Sequence, residues 1–226
     1  MNKLRILQVI FNPEIELFQI PAFRGAVIDK AGRESILFHN HTKDGFRYKY
    51  PLIQYKRINK KAAIICIEEG VDEIHKFFEN PNWQVKLYEQ EVELKVDKLF
   101  VNQFNMNVWD KLFPYRIFNW VALNEKNQKA YEEMDSLADK IHLLERIMTA
   151  NILSFAKGIN WHIEADKKIE IKISKILYEG TTKYKKIHRP VFDVEFKTNV
   201  FIPNFIGLGK AASHGYGIVH SMKKKQ

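Results

Sequence analysis

The chain is poor in cysteine: Cys66 is the single one in 226 residues. An intramolecular disulfide is therefore excluded, and so is a zinc site built on cysteines. Its setting in the apolar run AAIICI predicts a buried, inert thiol. Long hydrophobic runs are missing too. No stretch approaches the ~18 apolar residues of a membrane-spanning helix, and no charged head with an apolar centre marks a secretory leader. These absences predict a soluble, cytoplasmic protein without a membrane partner. Acidic residues are short against basic ones, 27 against 36, which gives a formal net charge of +9 and a pI near 9.4. Such a balance favours a polyanionic partner, nucleic acid first.

What is present is an ordinary globular composition, 46% hydrophobic, enough for one large domain or two of about 100 residues. Leu4 to Phe11 reads as a strand ended by Asn12-Pro13, and Glu14 to Lys30 as a helix kinked or entered at Pro21. Ser35 to His41 reads as short and extended, Pro51 to Arg57 and Lys61 to Ile67 as strands, and Gly70 to Glu79 as a helix. Gln84 to Val101 reads as one long strand or two in succession, because the alternation of Val85 and Leu87 changes phase before Val92. The order is β-α-β-β-α-β, the ferredoxin-like pattern.

A junction is expected at Gln103 to Pro114, and Tyr115 to Leu123 then opens a second unit as a strand. Asp135 to Lys157 carries an apolar stripe at helical spacing, with Ser136 as cap and Gly158 as stop. Lys168 to Tyr178 and Lys183 to Val200 read as a hairpin turning at Glu179 to Thr182, and Ile218 to Met222 as the closing strand. Periodicity alone supports an α+β class.

Four of the ten glycines, Gly207, Gly209, Gly215 and Gly217, fall in one short segment of FIPNFIGLGKAASHGYG, Phe201 to Gly217. A segment this rich in glycine turns tightly and brings backbone N–H groups close to another surface, a phosphate included. A dinucleotide fingerprint is not expected, because Ala212 takes the third glycine position and the nine residues after Gly217 are too few for the helix and strand of a βαβ unit. Nor is a P-loop, because Asn204 and Ala211 stand where glycine and Ser/Thr belong. The residues alone leave a structural turn and an anion-binding loop both open.

FKTNVFIPNFIGLGKAASHGYGIVH resembles the glycine-rich C-terminal signature of the CRISPR repeat-RNA processing endoribonucleases, a branch of the RAMP superfamily. RGAVIDKAGRESILFHNHTKDGFRYKYPLIQYK, Arg24 to Lys56, resembles the N-terminal half of the same family. The resemblance implies two tandem ferredoxin-like (RRM-like) domains, 1–105 and 106–226. It also implies metal-independent cleavage of precursor transcripts by 2′-hydroxyl attack, with no cofactor and CRISPR repeat RNA as partner. A monomer or homodimer, in contact with other subunits of an interference complex, fits that reading. A non-catalytic RNA-binding subunit of the same superfamily is the alternative.

On an extended segment, His39 and His41 share one face, and two rings titrating near neutrality supply a base and an acid. A His-x-His metal site is the rival, with Glu34 and Asp44 as the nearest carboxylates and no clear third ligand. In the family the catalytic set comes from His, Tyr and Lys of the N-terminal domain, which implies His39, His41 and Tyr48 here, with Tyr50 as the other tyrosine. Lys30 and Lys56 are expected to stabilise charge on the RNA. Lys168 and Lys172, taken to share a strand face, are expected to meet its backbone together with Gly207, Gly209, Lys210, Ser213, His214, Gly215 and Gly217.

Overall fold

The computed structural model describes every residue except 1, 40, 43, 44, 47, 48, 185, 186 and 223–226; for 2, 41, 42, 45, 46 and 184 it describes the backbone alone. Two compact units emerge, one of residues 2–105 with 213–215, the other of 106–212 with 216–222.

The first unit begins with β1 (Asn2–Glu14), followed by a 3-10 turn and α1 (Ile20–Ala31). The helix is entered at its proline: Pro21 lies in the first turn, where an N–H has no intrahelical partner. Next come α2 (Ile36–His39), the two-residue strands β2 (His41–Thr42) and β3 (Gly45–Phe46), then β4 (Ile53–Ile58) and β5 (Lys61–Ile67). After α3 (Glu69–Glu73) and α4 (His75–Glu79), β6 (Gln84–Leu87) and β7 (Gln90–Glu93) form a hairpin, and β8 (Val96–Met106) completes the sheet. The phase change near residue 88 is a turn between successive strands, with Tyr88 at φ +56°. The sheet order β4-β5-β1-β8 is that of a ferredoxin-like fold, and its β1 and β5 are antiparallel. The core lies between this sheet and the helices, where Phe11 meets Phe23 and Phe77 edge to face at 5.8 and 5.6 Å.

The second unit repeats the order. β9 (Val108–Trp120), α5 (Glu125–Glu132), α6 (Leu137–Gly158), β10 (Ile171–Tyr184), β11 (Ile187–Val200) and β12 (Ile218–Ser221) give the sheet β10-β11-β9-β12. α6 starts where Ser136 accepts the Asp139 N–H and buries Leu144, Met148, Ile152 and Phe155. The boundary between the two units falls between residues 105 and 106, inside the junction expected at 103–114, and it is strand on both sides, with Asn107 alone separating β8 from β9. Two expectations need correction here. Glu179 to Thr182 are strand rather than turn, with Gly180 opposite Val191. Lys168 precedes β10 in a loop, so it does not share a strand face with Lys172. Both units are α+β and ferredoxin-like, and no described helix is long and apolar enough to cross a membrane.

Candidate functional site

The histidine segment is not extended. Ser35 turns back onto Gly32 (N–H to O, 3.2 Å), Phe38 onto Ser35 (3.1 Å), and residues 36–39 close into helix. An apolar run as short as ILF fits strand or helix equally, and burial of Phe38, 1% exposed, decides for the helix. His39 therefore ends a helical turn while His41 pairs its backbone with Phe46, which overturns the same-face argument drawn from an extended chain. The His41 side chain, and Tyr48 altogether, lie outside the described residues.

What the structure adds is the clamp on this turn. The last carbonyls of a helix lack intrahelical donors. Phe38 O accepts the Tyr55 hydroxyl at 2.9 Å, and His39 O accepts an Arg24 guanidinium N–H at 2.8 Å. The Arg24 guanidinium also stands 5.8 Å over the Tyr55 ring. Tyr55 is fully buried, which pushes its phenol pKa up and keeps the hydroxyl a donor. His39 Nε2 lies 2.7 Å from Arg33 O; a carbonyl only accepts, so this nitrogen carries the proton and Nδ1 is the acceptor of the neutral ring. Sequence reasoning missed Arg24 and Tyr55. The available signal for Arg24 was a cation one turn from Ile20 and beside Phe23, on the edge of the apolar face of α1.

Lys30 and Lys56 are corrected. Lys30 is 8% exposed, its ammonium donates to Asn80 O and, at 2.7 Å, to Asn82 O, and it stands 4.4 Å over the Trp83 ring. Burial lowers its pKa. Lys56 is fully buried, and burial brings its pKa down to about 7. Both side chains are buried, which argues against a direct contact of either lysine with an RNA phosphate. Tyr50 is buried too and accepts a 2.8 Å hydrogen bond from Gln54 Nε2.

In the second unit the glycine segment is a backbone ladder. Leu208 N–H donates to Gly217 O (2.8 Å), Lys210 to Val121 O (3.2 Å) and Gly217 to Asn119 O (3.0 Å). Gly209 and Gly217 have φ of +84° and +61°. A Cβ at Gly217 would fall 1.9 Å from Leu208 O, and one at Gly209 would fall 2.7 Å from Trp120 Nε1, which itself donates to Asn151. These two glycines are dictated by the turn itself. Gly207 bridges Ile218. Lys210 is exposed at the rim, and Ser213 Oγ lies 3.0 Å from His214 Nδ1 in a 3-10 turn. Ser213, His214 and Gly215 group with the first unit, where a Cβ on Gly215 would come 2.6 Å from Ile20 Cδ1.

Lys172 of β10 stands directly opposite Lys197 of β11, and both lysines are exposed. Like charges in register repel, and a bound anion relieves them. Among the described residues no group of three or more His, Cys, Asp or Glu is placed to hold a metal ion.

Residues 2–105 match the family model of the Cas6b N-terminal domain, and residues 107–222 that of the Cas6b C-terminal domain. The fold is similar to a solved structure of Cas6b, 28% identical, with a TM-score of 0.88 over 97% of this chain and 100% of that one. It is also similar to that of a CRISPR RNA processing endoribonuclease Cas6b, 26% identical, with a TM-score of 0.75 over the same shares. An uncharacterized protein of Methanocaldococcus jannaschii is 37% identical over 114 residues, 50% of this chain and 74% of that protein.

Proposed function

This chain belongs to the Cas6b family of CRISPR RNA processing endoribonucleases, and on that premise we propose that it cuts precursor transcripts within the repeat without a metal ion. The observation that carries the reading is the match of both domain models, in order, across a fold that superimposes on Cas6b over nearly its whole length. In the proposed step a base takes the proton from the 2′-hydroxyl next to the scissile phosphate. The oxygen attacks phosphorus in line, and an acid protonates the departing 5′-oxygen. A 2′,3′-cyclic phosphate and a 5′-hydroxyl result.

His39 is assigned the base. Its Nε2–H is spent on Arg33 O, which holds the tautomer whose Nδ1 accepts a proton. His41 is then the acid, and Tyr48 a hydroxyl donor to the phosphate. Arg24 and Tyr55 act as positioning residues through the carbonyls that they hold. The exposed Lys172, with Lys168, Lys210, Ser213 and His214, supplies backbone contacts to the RNA.

The test is single-turnover cleavage of the repeat RNA in EDTA. Intact RNA is expected to be cut, and one 2′-deoxy position to abolish it. His39→Ala and His41→Ala each slow the reaction by about 10²- to 10⁴-fold with RNA affinity kept. A 5′-phosphorothiolate leaving group needs no proton, so it restores the rate of His41→Ala but not of His39→Ala. Restoration of His39→Ala instead reverses the two roles. Binding without cleavage by the wild type would turn the chain into an RNA-binding subunit.

A further inference from the structure

β9 leaves its ladder at the entrance to the second sheet. Val108 pairs with Val200 and Phe113 with Thr198, so Trp109, Asp110, Lys111 and Leu112 stand opposite the single residue Asn199. A bulge of this kind bends the strand away and re-aims its side chains, as bulges beside binding sites do. The displaced segment forms one wall of a cleft of about 460 Å³, and residues 166–170 form the other. That second wall is fixed by Asn199, which is 6% exposed. Its Nδ2 donates to Lys168 O and its Oδ1 accepts the Glu170 N–H, both at 2.9 Å.

The chemistry of the lining is specific. Trp109 is 36% exposed, whereas Trp120 and Trp161 are buried. Lys111 Nζ stands 5.7 Å from the Trp109 ring and 5.0 Å from the Phe113 ring, and Trp109 and Phe113 meet edge to face at 6.4 Å. Lysines 111, 167 and 168 are balanced in the lining by Asp110, Asp166 and Glu170. A groove built only to attract phosphates would not carry three carboxylates. A nucleobase has a face for the indole and exocyclic amino groups for the carboxylates.

We propose that this cleft holds one unstacked nucleotide of the RNA, its base against Trp109 and its phosphate at Lys111 and Lys168. The inference rests on the endoribonuclease reading above and adds to it a nucleotide subsite in the second unit. The cleft has the size of a small-ligand pocket, and the Asn199 hydrogen bonds hold its far wall ready before RNA arrives.

The experiment is equilibrium binding and cleavage of the repeat RNA, intact and with one abasic nucleotide moved along it. The proteins are the full-length wild type, Trp109→Ala, Trp109→Phe and Lys168→Gln, each checked by thermal unfolding. Trp109→Ala is expected to weaken binding about tenfold, and Trp109→Phe, which keeps a stacking face, by much less. One abasic position should weaken the wild type by a similar factor and Trp109→Ala no further. Lys168→Gln should lower the log-log salt slope by about 0.7. Unchanged affinity in Trp109→Ala, or full additivity at every abasic position, overturns the subsite while wild-type cleavage keeps the endoribonuclease reading. A wild type that neither binds nor cuts the repeat overturns both.

Discussion

The two units solve one topological problem in opposite ways. Each must cross from its third to its fourth strand within the same sheet order. The first does so with side chains: α3, α4 and the β6–β7 hairpin lie in this crossover, and Phe77 of α4 packs on Phe11 and Trp83 at 5.6 and 5.7 Å. The second has no such helix among its described residues; residues 201–217 cross by hydrogen-bonding their own backbone to β9 and β12. One crossover thus depends on what its side chains fill, the other on where side chains are missing.

The largest effect is expected from breaking the second kind. Gly217→Ala puts a methyl group 1.9 Å from Leu208 O at a residue with φ +61°. The left-handed conformation alone costs an L-residue about 1–2 kcal/mol. With the backbone clash added, a loss of about 3 kcal/mol or more is expected in urea unfolding. A loss below about 1 kcal/mol would show that the ladder shifts freely and does not hold this crossover.

Next is a break in the first kind. Lys30 closes the chain after α4 by donating to Asn80 O and Asn82 O from beneath Trp83. Lys30→Met keeps the aliphatic stem and leaves two carbonyls without their charged donor, so a loss of about 2 kcal/mol is expected. RNA affinity and its salt slope should stay as in the wild type once the protein is folded. A smaller salt slope in Lys30→Met would return this lysine to the RNA surface.

These two cases also mark what the sequence discloses. Period-two alternation locates β4, the continuous apolar run AAIICI locates β5, and the stripe from Leu144 to Phe155 gives α6. α5 escapes because EKNQKAYE buries only Tyr131 and so has no apolar stripe; its visible sign was the cap, Asn124 accepting the Asn127 N–H. The turn residues Glu179-Gly180-Thr181 mislead, since glycine also occurs inside strands. Lysine is seldom buried, so Lys30 and Lys56 read as surface until the packing is seen. The histidine segment could be found by its residues but not shaped, because Ser35 to His39 is bent by the distant partners Arg24 and Tyr55.

Lys56 sharpens the comparison through pH. Its pKa is lowered in the fold from 10.5 to about 7 by burial. Between those values the unfolded chain holds a proton that the folded chain has released, so folding stability rises with pH across this window. The gain attributable to Lys56 is about 1 kcal/mol from pH 7 to pH 8 and levels off near 10.5. Chemical denaturation of wild type and Lys56→Met at pH 7, 8 and 9 measures it as the change in their difference. Parallel curves would mean that the ammonium keeps its ordinary pKa and is hydrated in the folded protein.

The smallest effect is expected at a glycine that the first unit does not need. Gly25 lies within α1, and a Cβ there meets nothing within 4 Å. In a helix interior, alanine restricts the unfolded chain without disturbing the folded one, so Gly25→Ala should stabilise by about 0.5–1 kcal/mol. This opposes in sign the loss expected for Gly217→Ala, although both changes add the same methyl group. Unfolding of the free protein isolates the backbone effect, and RNA binding by the same variant then reads the surface around Gly25. Weaker binding with higher stability would mean that RNA approaches this face of α1 closely enough to require the missing side chain. Equal binding with higher stability would mean that α1 serves the site only through Arg24.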